Sequence, residues 1–447
     1  MLRDGIVTAA DFELAVAERR PSIAARPSLV EAAADVAAHL PPLTLGRATA
    51  LLETFSARLS HACPLIDHVE ISGDTRRYAQ LVTSLSVVAR AADTERVVAA
   101  LEQVPDVTDV AFRTGRRAVL TFLRSEIDLR VAPPDEFGTV LFTTTGPAAH
   151  TAAVLARRGV RLTPSEVDVY EHAGLTFLPP ELRDRPDALA LAQRQVPHPL
   201  VSRADIRGDL HMHTNVSDGR DALETMVNAS AALGYEYIAI TDHSEHAAAS
   251  RTMTLDDLKK QHEAVCALRE DFPRMAILHG IEADILADGS IDCPDAVLAT
   301  LDIVLASLHE RHGHDAIRLT ERCLAAIRHP LVSIVTHPSN QLVGRRAGYD
   351  MDYDRIFAAA AETGTILEID GAPNHLDLDG ERARAAVLAG VMVSIDSDCH
   401  RADALERQMR FGVGTARRAG IMASQVVNTR PLAELQRVLA RKRAGSC

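Results

Sequence analysis

Nine imidazoles and carboxylates recur where apolar runs end, and their types suit divalent metal ions. His211 and His213 stand two apart at the end of the first such run, so alternation lets both project from one strand end. Asp218 follows in Ser217-Asp218-Gly219, and His243 closes Tyr237-Ile238-Ala239-Ile240-Thr241-Asp242. Glu282 follows Ala276-Ile277-Leu278, His309 ends the run from Ile303 to Leu308, and His337 ends Val332-Ser333-Ile334-Val335. Asp398 and His400 follow the run ending at Ile395. Mixed imidazole–carboxylate sets suit Zn²⁺, Mn²⁺ or Fe²⁺ better than Ca²⁺ or an all-oxygen Mg²⁺ site. Two or three such ions would lower the pKa of a bound water toward about 7 and neutralise phosphoryl oxygens, so phosphoester hydrolysis is the expected chemistry.

The elements that must position these residues are legible as alternation. Strands are expected near 208–213, 237–242, 276–285, 303–309, 332–336, 365–370 and 391–396. Helices are expected over 221–233, 254–271, 294–300, 314–328, 352–363, 380–389 and 402–419. Seven strands alternating with helices imply a parallel α/β sheet, most simply closed into a barrel whose C-terminal strand ends carry the site. Before it, a Pro-rich stretch, Val196-Pro197-His198-Pro199, marks a linker.

The earlier half reads as a smaller α/β unit: a helix near 48–59, strands near 68–72, 81–89, 110–112, 117–122 and 126–131, and a helix over 94–103. Residues 28–40 form a capped helix in the sequence reading, with Ser28 as N-cap and Glu31 completing a capping box. Residues 1–203 carry 22 arginines, no lysine and 25 acidic residues, net −3, within a whole-chain charge of −13. The remaining residues, 26 basic and 36 acidic, carry −10, which argues against a general nucleic-acid coat although bound cations would offset part of it. The absence of tryptophan and 4% aromatics give no sign of base-stacking platforms. No run near 18 apolar residues and no N-terminal leader pattern is present, so a cytoplasmic protein without membrane contact is expected. The six cysteines are scattered without a C-x-x-C pair, which fits reduced thiols.

Residues 45–195 resemble the palm and thumb of bacterial family X DNA polymerases. Gly73, Arg76, Arg77 and Asp128-Leu129-Arg130 match motifs of that family, while Asp74 stands where its serine would be and Ser84-Leu85-Ser86 replaces its Asp-x-Asp pair. Two-metal nucleotidyl transfer needs clustered anionic oxygens, so Ser84 and Ser86 imply an inactive polymerase site. The family's Gly-rich DNA-gripping region has no counterpart in residues 1–46. This half then reads as a retained folding or docking module, with a DNA-positioning arm built on Arg76 and Arg77 as the competing reading.

From about residue 204 the chain resembles the PHP (polymerase and histidinol phosphatase) superfamily, and closely the version fused to family X polymerases. The motifs are His211-Met212-His213, Ser217-Asp218-Gly219, Thr241-Asp242-His243, Gly280-Ile281-Glu282, Ser307-Leu308-His309, Thr336-His337-Pro338 and Asp398-Cys399-His400. The resemblance implies one ion on His211, His213, Glu282 and Asp398, a second on Glu282, His309 and His337, and a third on Asp218, His243 and His400. Glu282 and Asp398 are thereby catalytic as well as ligating, and Arg345, Arg346 and Arg311 are candidate phosphate contacts. His312, His314 and His375 read as solvated loop histidines, Asp242 as an orienter of His243 or a turn cap, and His279 as a core histidine. Cys399, between two ligands, should point away from them. The implied domains are an N-terminal segment (1–44), a degenerate palm (45–150), a thumb-like remnant and linker (151–203) and a distorted seven-stranded PHP barrel (204–440).

The implied activity is processing of DNA 3′ ends (3′–5′ exonuclease or 3′-phosphatase, with abasic-site cleavage as an extension) without synthesis. A small-molecule phosphatase of histidinol-phosphate or nucleotide type is the alternative, since it needs only the barrel. A non-catalytic scaffold docking a DNA-repair protein is the third reading, which nine intact ligand positions oppose.

Overall fold

The computed structural model describes residues 42–194 and 199–444. The expected helix over 28–40 lies outside the described residues. Two compact units divide at His198 and Pro199. Residues 199–203, read from sequence as linker, fold with the second unit, where Val201 N–H donates to the Ile421 carbonyl at 2.9 Å.

In the first unit, Leu45–Ala62 is a helix whose Leu45, Leu52, Phe55 and Leu59 are buried at helical spacing. It accompanies a five-stranded sheet in the order His68–Ile71, Leu85–Arg90, Ser125–Ala132, Arg117–Phe122 and Val107–Arg113. The single strand expected over 81–89 is two, Leu81–Val82 and Leu85–Arg90, because Asp74 Oδ2 accepts bonds from both the amide (2.8 Å) and the hydroxyl (2.7 Å) of Thr83. In the larger sheet Ser86 pairs in register with Asp128, and its hydroxyl meets that of Ser72 at 2.8 Å. Arg117 grips Asp128 with two bonds, Nε to Oδ1 at 2.9 Å and Nη2 to Oδ2 at 3.1 Å. Arg76 is paired with Glu166 (2.7 Å), and Arg77 with Asp74 (2.7 Å) and Asp184 (2.9 Å). These ion pairs remove the basis for a DNA-positioning arm on Arg76 and Arg77, since both guanidiniums are held by carboxylates of their own unit.

The second unit is a parallel seven-stranded sheet in sequential order: β1 (Gly208–Asp209), β2 (Tyr237–Ile240), β3 (Ala276–Asp284), β4 (Ile303–Ser307), β5 (Ile334–Val335), β6 (Ile366–Asp370) and β7 (Val393–Asp396). β1 is shorter than its apolar run suggests. Beyond it a single bridge, Met212 to Cys399, joins the first and last strands and closes the barrel. Alternation sorts the strand side chains. Ile238, Ile240, Ile277, Ile281, Val304, Ala306, Leu367, Ile369, Val393 and Ile395 join the helix-facing core, as does Cys399. Tyr237, Ala239, Leu278, Ile303, Leu305, Ile334 and Ile366 form a separate inner layer. Gly280 lies between Leu278 and Glu282 on that inner parity, and a Cβ there would stand 2.8 Å from the Ile303 carbonyl oxygen.

The inner layer is completed by a helix that the sequence reading did not place, Leu432–Arg443, which runs past the expected boundary at 440. Pro431 precedes it, Glu434 sits in its first turn and Arg441, Lys442 and Arg443 in its last, charges that complement the helix dipole. Leu435 and Leu439, one turn apart, join the inner layer, and Lys442 Nζ donates to the Ile327 carbonyl at 2.7 Å. The described cysteines are free, and no helix among the described residues is long and apolar enough to cross a membrane. Leu435 is fully buried, so Leu435→Ala is expected to destabilise the barrel unit by about 2–5 kcal/mol. Urea unfolding followed by circular dichroism measures this against wild type.

Candidate metal centre

The other eight expected side chains cluster around Glu282, which is fully buried near the C-terminal end of β3. Its Oε2 faces His211 Nε2 (3.5 Å), His213 Nε2 (3.5 Å) and His243 Nδ1 (2.9 Å), and its Oε1 faces His309 Nε2 (3.4 Å) and His337 Nε2 (2.9 Å). Asp398 Oδ1 stands 3.6 Å from His211 Nε2 and 3.2 Å from His213 Nε2, while those two nitrogens are 3.0 Å apart. Asp218 Oδ1 lies 3.4 Å from His243 Nε2 and 3.1 Å from His400 Nε2. His337 and Asp398 reach inward from left-handed backbone, φ 27° and 48°, a conformation that L side chains rarely adopt and that concentrates at functional sites.

The donor set fits a cation. Four ligands about 2.0–2.2 Å from one tetrahedral ion are separated by about 3.3–3.6 Å, close to the spacing around His211, His213, Glu282 and Asp398. Glu282 Oε2 and Asp218 Oδ1 are buried and accept no hydrogen bond among the described residues, although imidazole nitrogens surround them. Three overlapping groups could each hold an ion: His211, His213 and Glu282; His243, Glu282 and His309; and His213, Asp218, His243 and His400. The resemblance implies sets that share Glu282 alone; here His213 and His243 are shared as well, and His243 presents one ring nitrogen to Glu282 and the other to Asp218.

Side chains that alternation alone could have flagged orient the ligands. Glu368, a buried acid inside the apolar run of β6, accepts from His211 Nδ1 (2.7 Å), from Thr336 Oγ1 and from the His337 amide (2.8 Å). That bond places the His211 proton on Nδ1 and leaves the Nε2 lone pair facing Glu282 and Asp398. Asp284, of the same parity as Glu282, accepts from His309 Nδ1. Asp242 does not orient His243. Its carboxylate accepts from the Thr214 amide (2.9 Å) and hydroxyl (2.7 Å) and from the Ser217 amide (3.1 Å), which fastens the turn leading to Asp218. His375 is not a solvated loop histidine: its ring stacks on His337 with centroids 5.5 Å apart, and burial, then the neighbouring His337, push its pKa down to about 4. His279 is buried, as a core histidine should be.

The candidate phosphate contacts lie outside this convergence. Arg311 is exposed and donates Nε to the His314 carbonyl at 2.7 Å. Arg346 donates to the carbonyl (2.8 Å) and side chain (2.7 Å) of Asn340, so it braces the loop after His337. Arg345 is exposed on the same loop.

The pattern of the PHP domain family matches residues 209–369. The DNA polymerase/3′-5′ exonuclease PolX of Bacillus subtilis (strain 168) is 32% identical over 391 residues, which span 83% of this chain and 68% of that protein. The chain belongs to the family X polymerases that carry a PHP domain. A probable phosphatase of Caldanaerobacter subterraneus subsp. tengcongensis is 32% identical over 215 residues, 45% of this chain and 80% of its own. Among solved structures, histidinol phosphate phosphatase of Lactococcus lactis subsp. lactis Il1403, complexed with zinc, L-histidinol and phosphate, matches 48% of this chain and 94% of its own at 17% identity and a TM-score of 0.39. Within this PolX family member the barrel is a metal-dependent phosphoesterase.

Two predictions follow from the electrostatics. Burial disfavours charge on His243, but Glu282 and Asp218 outweigh it and push the pKa up to about 10. Burial likewise opposes charge on His309, yet Glu282 and Asp284 push it up to about 9. Glu282 is held well below the carboxylate range, because His243, His309 and His211 together overcome its desolvation. Raised imidazole pKa values mean that a metal must displace protons at neutral pH. Zn²⁺ uptake by metal-free protein at pH 7 should therefore release roughly two protons or more, and affinity should rise with pH until about 10, the higher of the two imidazole values. Calorimetry in buffers of different ionisation enthalpy reads the protons directly, and a pH-independent affinity would contradict it. Glu368→Gln should weaken Zn²⁺ binding about 10–100-fold in chelator competition by loosening His211.

Proposed function

We propose that the barrel hydrolyses phosphoester bonds at DNA 3′ ends, removing nucleotides or terminal phosphates and acting at abasic sites, while the first unit performs no synthesis. The observation that carries this reading is the gathering of eight ligand-type side chains around Glu282 in a chain that keeps the polymerase resemblance without its Asp-x-Asp pair. His211, His213, Glu282 and Asp398 would hold one ion, Glu282 with His309 and His337 a second, and Asp218 with His243 and His400 a third, the ions being Zn²⁺, Mn²⁺ or Fe²⁺. Such ions supply a hydroxide-equivalent nucleophile at neutral pH and neutralise charge on the phosphoryl oxygens. Glu282 and Asp398 would supply the carboxylate oxygens to those ions, and Glu368 and Asp284 bond the rings of His211 and His309 and so fix their orientations. Arg345, with its exposed guanidinium, is the chain's candidate for a bidentate phosphate contact. Arg311, already bonded to its own loop, would reach substrate only through its terminal nitrogens.

Loss of synthesis rests on the first unit's own chemistry. Ser84 and Ser86 offer no anionic oxygen, and the guanidinium of Arg117 already neutralises Asp128. The Bacillus relative, whose name records a 3′-5′ exonuclease, supports DNA as the substrate. A small phosphomonoester is the second reading, favoured by the −13 net charge and by relatives described as probable phosphatases that match little more than the barrel.

The test is Mn²⁺-loaded full-length protein with 5′-labelled oligonucleotides ending in 3′-hydroxyl or 3′-phosphate, beside an Asp398→Ala, His400→Ala double variant. Shortening or dephosphorylation that falls about 100-fold or more in the variant, with no extension when dNTPs are added, is the expected result. Intact oligonucleotides alongside hydrolysis of p-nitrophenyl phosphate would move the assignment to small phosphomonoesters. Bound metal with neither activity would leave only a docking role for the chain.

A further inference from the structure

Behind the ligands, a chain of polar side chains crosses the helix layer of the barrel. Gln261, on the helix Leu255–Asp271, is 3% exposed and donates Nε2 to Asp242 Oδ2 at 2.6 Å. Its Oε1 lies 3.2 Å from His279 Nε2, on β3. His279 Nδ1 faces His262 Nδ1 at 3.3 Å, and His262 Nε2 lies 3.6 Å from Cys266 Sγ, one turn along the same helix. His262 and Cys266 are exposed, and His279 is 2% exposed.

The direction of every proton in this chain follows from its inner end. Asp242 already accepts two backbone amides and two hydroxyls from Thr214 and Ser217, so its carboxylate can be met only by the NH₂ end of Gln261. The Gln261 carbonyl must then face His279, which puts the His279 proton on Nε2 and leaves a lone pair on Nδ1. That lone pair requires His262 to carry its proton on Nδ1, so His262 Nε2 accepts from the Cys266 thiol. Any flip of Gln261 would set two oxygens against each other at 2.6 Å. Burial, then the neighbouring His262, push His279 down to about 4, so it stays neutral near pH 7.

Asp242 is the clamp of the turn Thr214–Ser217, and the next residue is Asp218. We propose that Gln261 and His279 are positioning residues whose one-way relay holds Asp242, and through it aims Asp218 at His243 and His400. The role rests on reading those three side chains as an ion subsite, while the relay itself stands on the hydrogen-bond geometry alone. Losing Gln261 would remove a charge-assisted bond from a buried carboxylate and leave its Oδ2 held only by the Thr214 hydroxyl, loosening its grip on the turn.

Two measurements on the full-length chain test this. The first uses metal-free protein labelled with [¹⁵N]histidine and long-range ¹H–¹⁵N correlation spectra, with His279→Gln and His262→Gln used for assignment. His279 is expected as the Nε2–H tautomer and His262 as Nδ1–H, and His279 found as Nδ1–H would overturn the relay. The second is Zn²⁺ titration calorimetry of Gln261→Met, His279→Phe and His279→Gln. The first two should weaken one ion about 10–100-fold and leave the others near wild type, while His279→Gln, whose amide supplies one donor and one acceptor, restores it. Wild-type binding in Gln261→Met and His279→Phe, or equal weakening of every ion, would overturn the positioning role. If Gln261→Met does not fold, the wild-type spectrum and the His279 pair still decide. Wild-type protein that binds no Zn²⁺ with the expected tautomers would sink the metal-centre reading and leave the relay standing.

Discussion

The barrel is arranged around one expensive object, the fully buried carboxylate of Glu282. An isolated ionised carboxylate out of water costs far more than a fold of this size can absorb. Here both oxygens face imidazole nitrogens, three against Oε2 and two against Oε1. The arrangement holds charge only if those rings keep lone pairs or protons aimed at it. Two buried acids serve that condition, Glu368 by turning His211 and Asp284 by turning His309, while Asp242 fastens the turn before Asp218.

Such a centre needs a rigid support, and the barrel supplies it in layers. At one end Leu435 and Leu439 close the apolar inner layer; above them the same inward parity changes from Leu278 through Gly280 to Glu282. The outward parity is mostly apolar and packs on helices, with His279 of β3 as a polar interruption that meets Gln261. Chemistry and stability are thereby separated along each strand by the two-residue period, and left-handed backbone at His337 and Asp398 is tolerated because the layers beneath over-determine it.

The first unit handles its buried charges differently. Ser86 and Asp128 stand in register on adjacent strands of its five-stranded sheet. Its charges now satisfy one another: Arg117 with Asp128, Arg76 with Glu166, and Arg77 with Asp74 and Asp184. A guanidinium that spends two bonds on a carboxylate does for folding what a metal would do for catalysis, and it leaves no anionic pair to hold ions.

From sequence alone came the order of strands and helices, the parallel barrel and the nine ligand-type residues, because each rests on local periodicity and on residue types at strand ends. Alternation marks Glu368 and Asp284 as inward-facing acids, but what they hold is decided only when neighbouring strands bring them against His211 and His309. Local pattern could not separate His375, stacked on His337, from the exposed His312, because exposure is a property of the assembled mouth. The fate of Arg76, Arg77 and Arg117 was likewise decided by partners distant in the chain, at Glu166, Asp184 and Asp128. The helix Leu432–Arg443 earns its place only once an open barrel end needs Leu435 and Leu439. Spacing along the chain selects which residues share a face; only closure of the barrel selects which charges must share a proton or an ion.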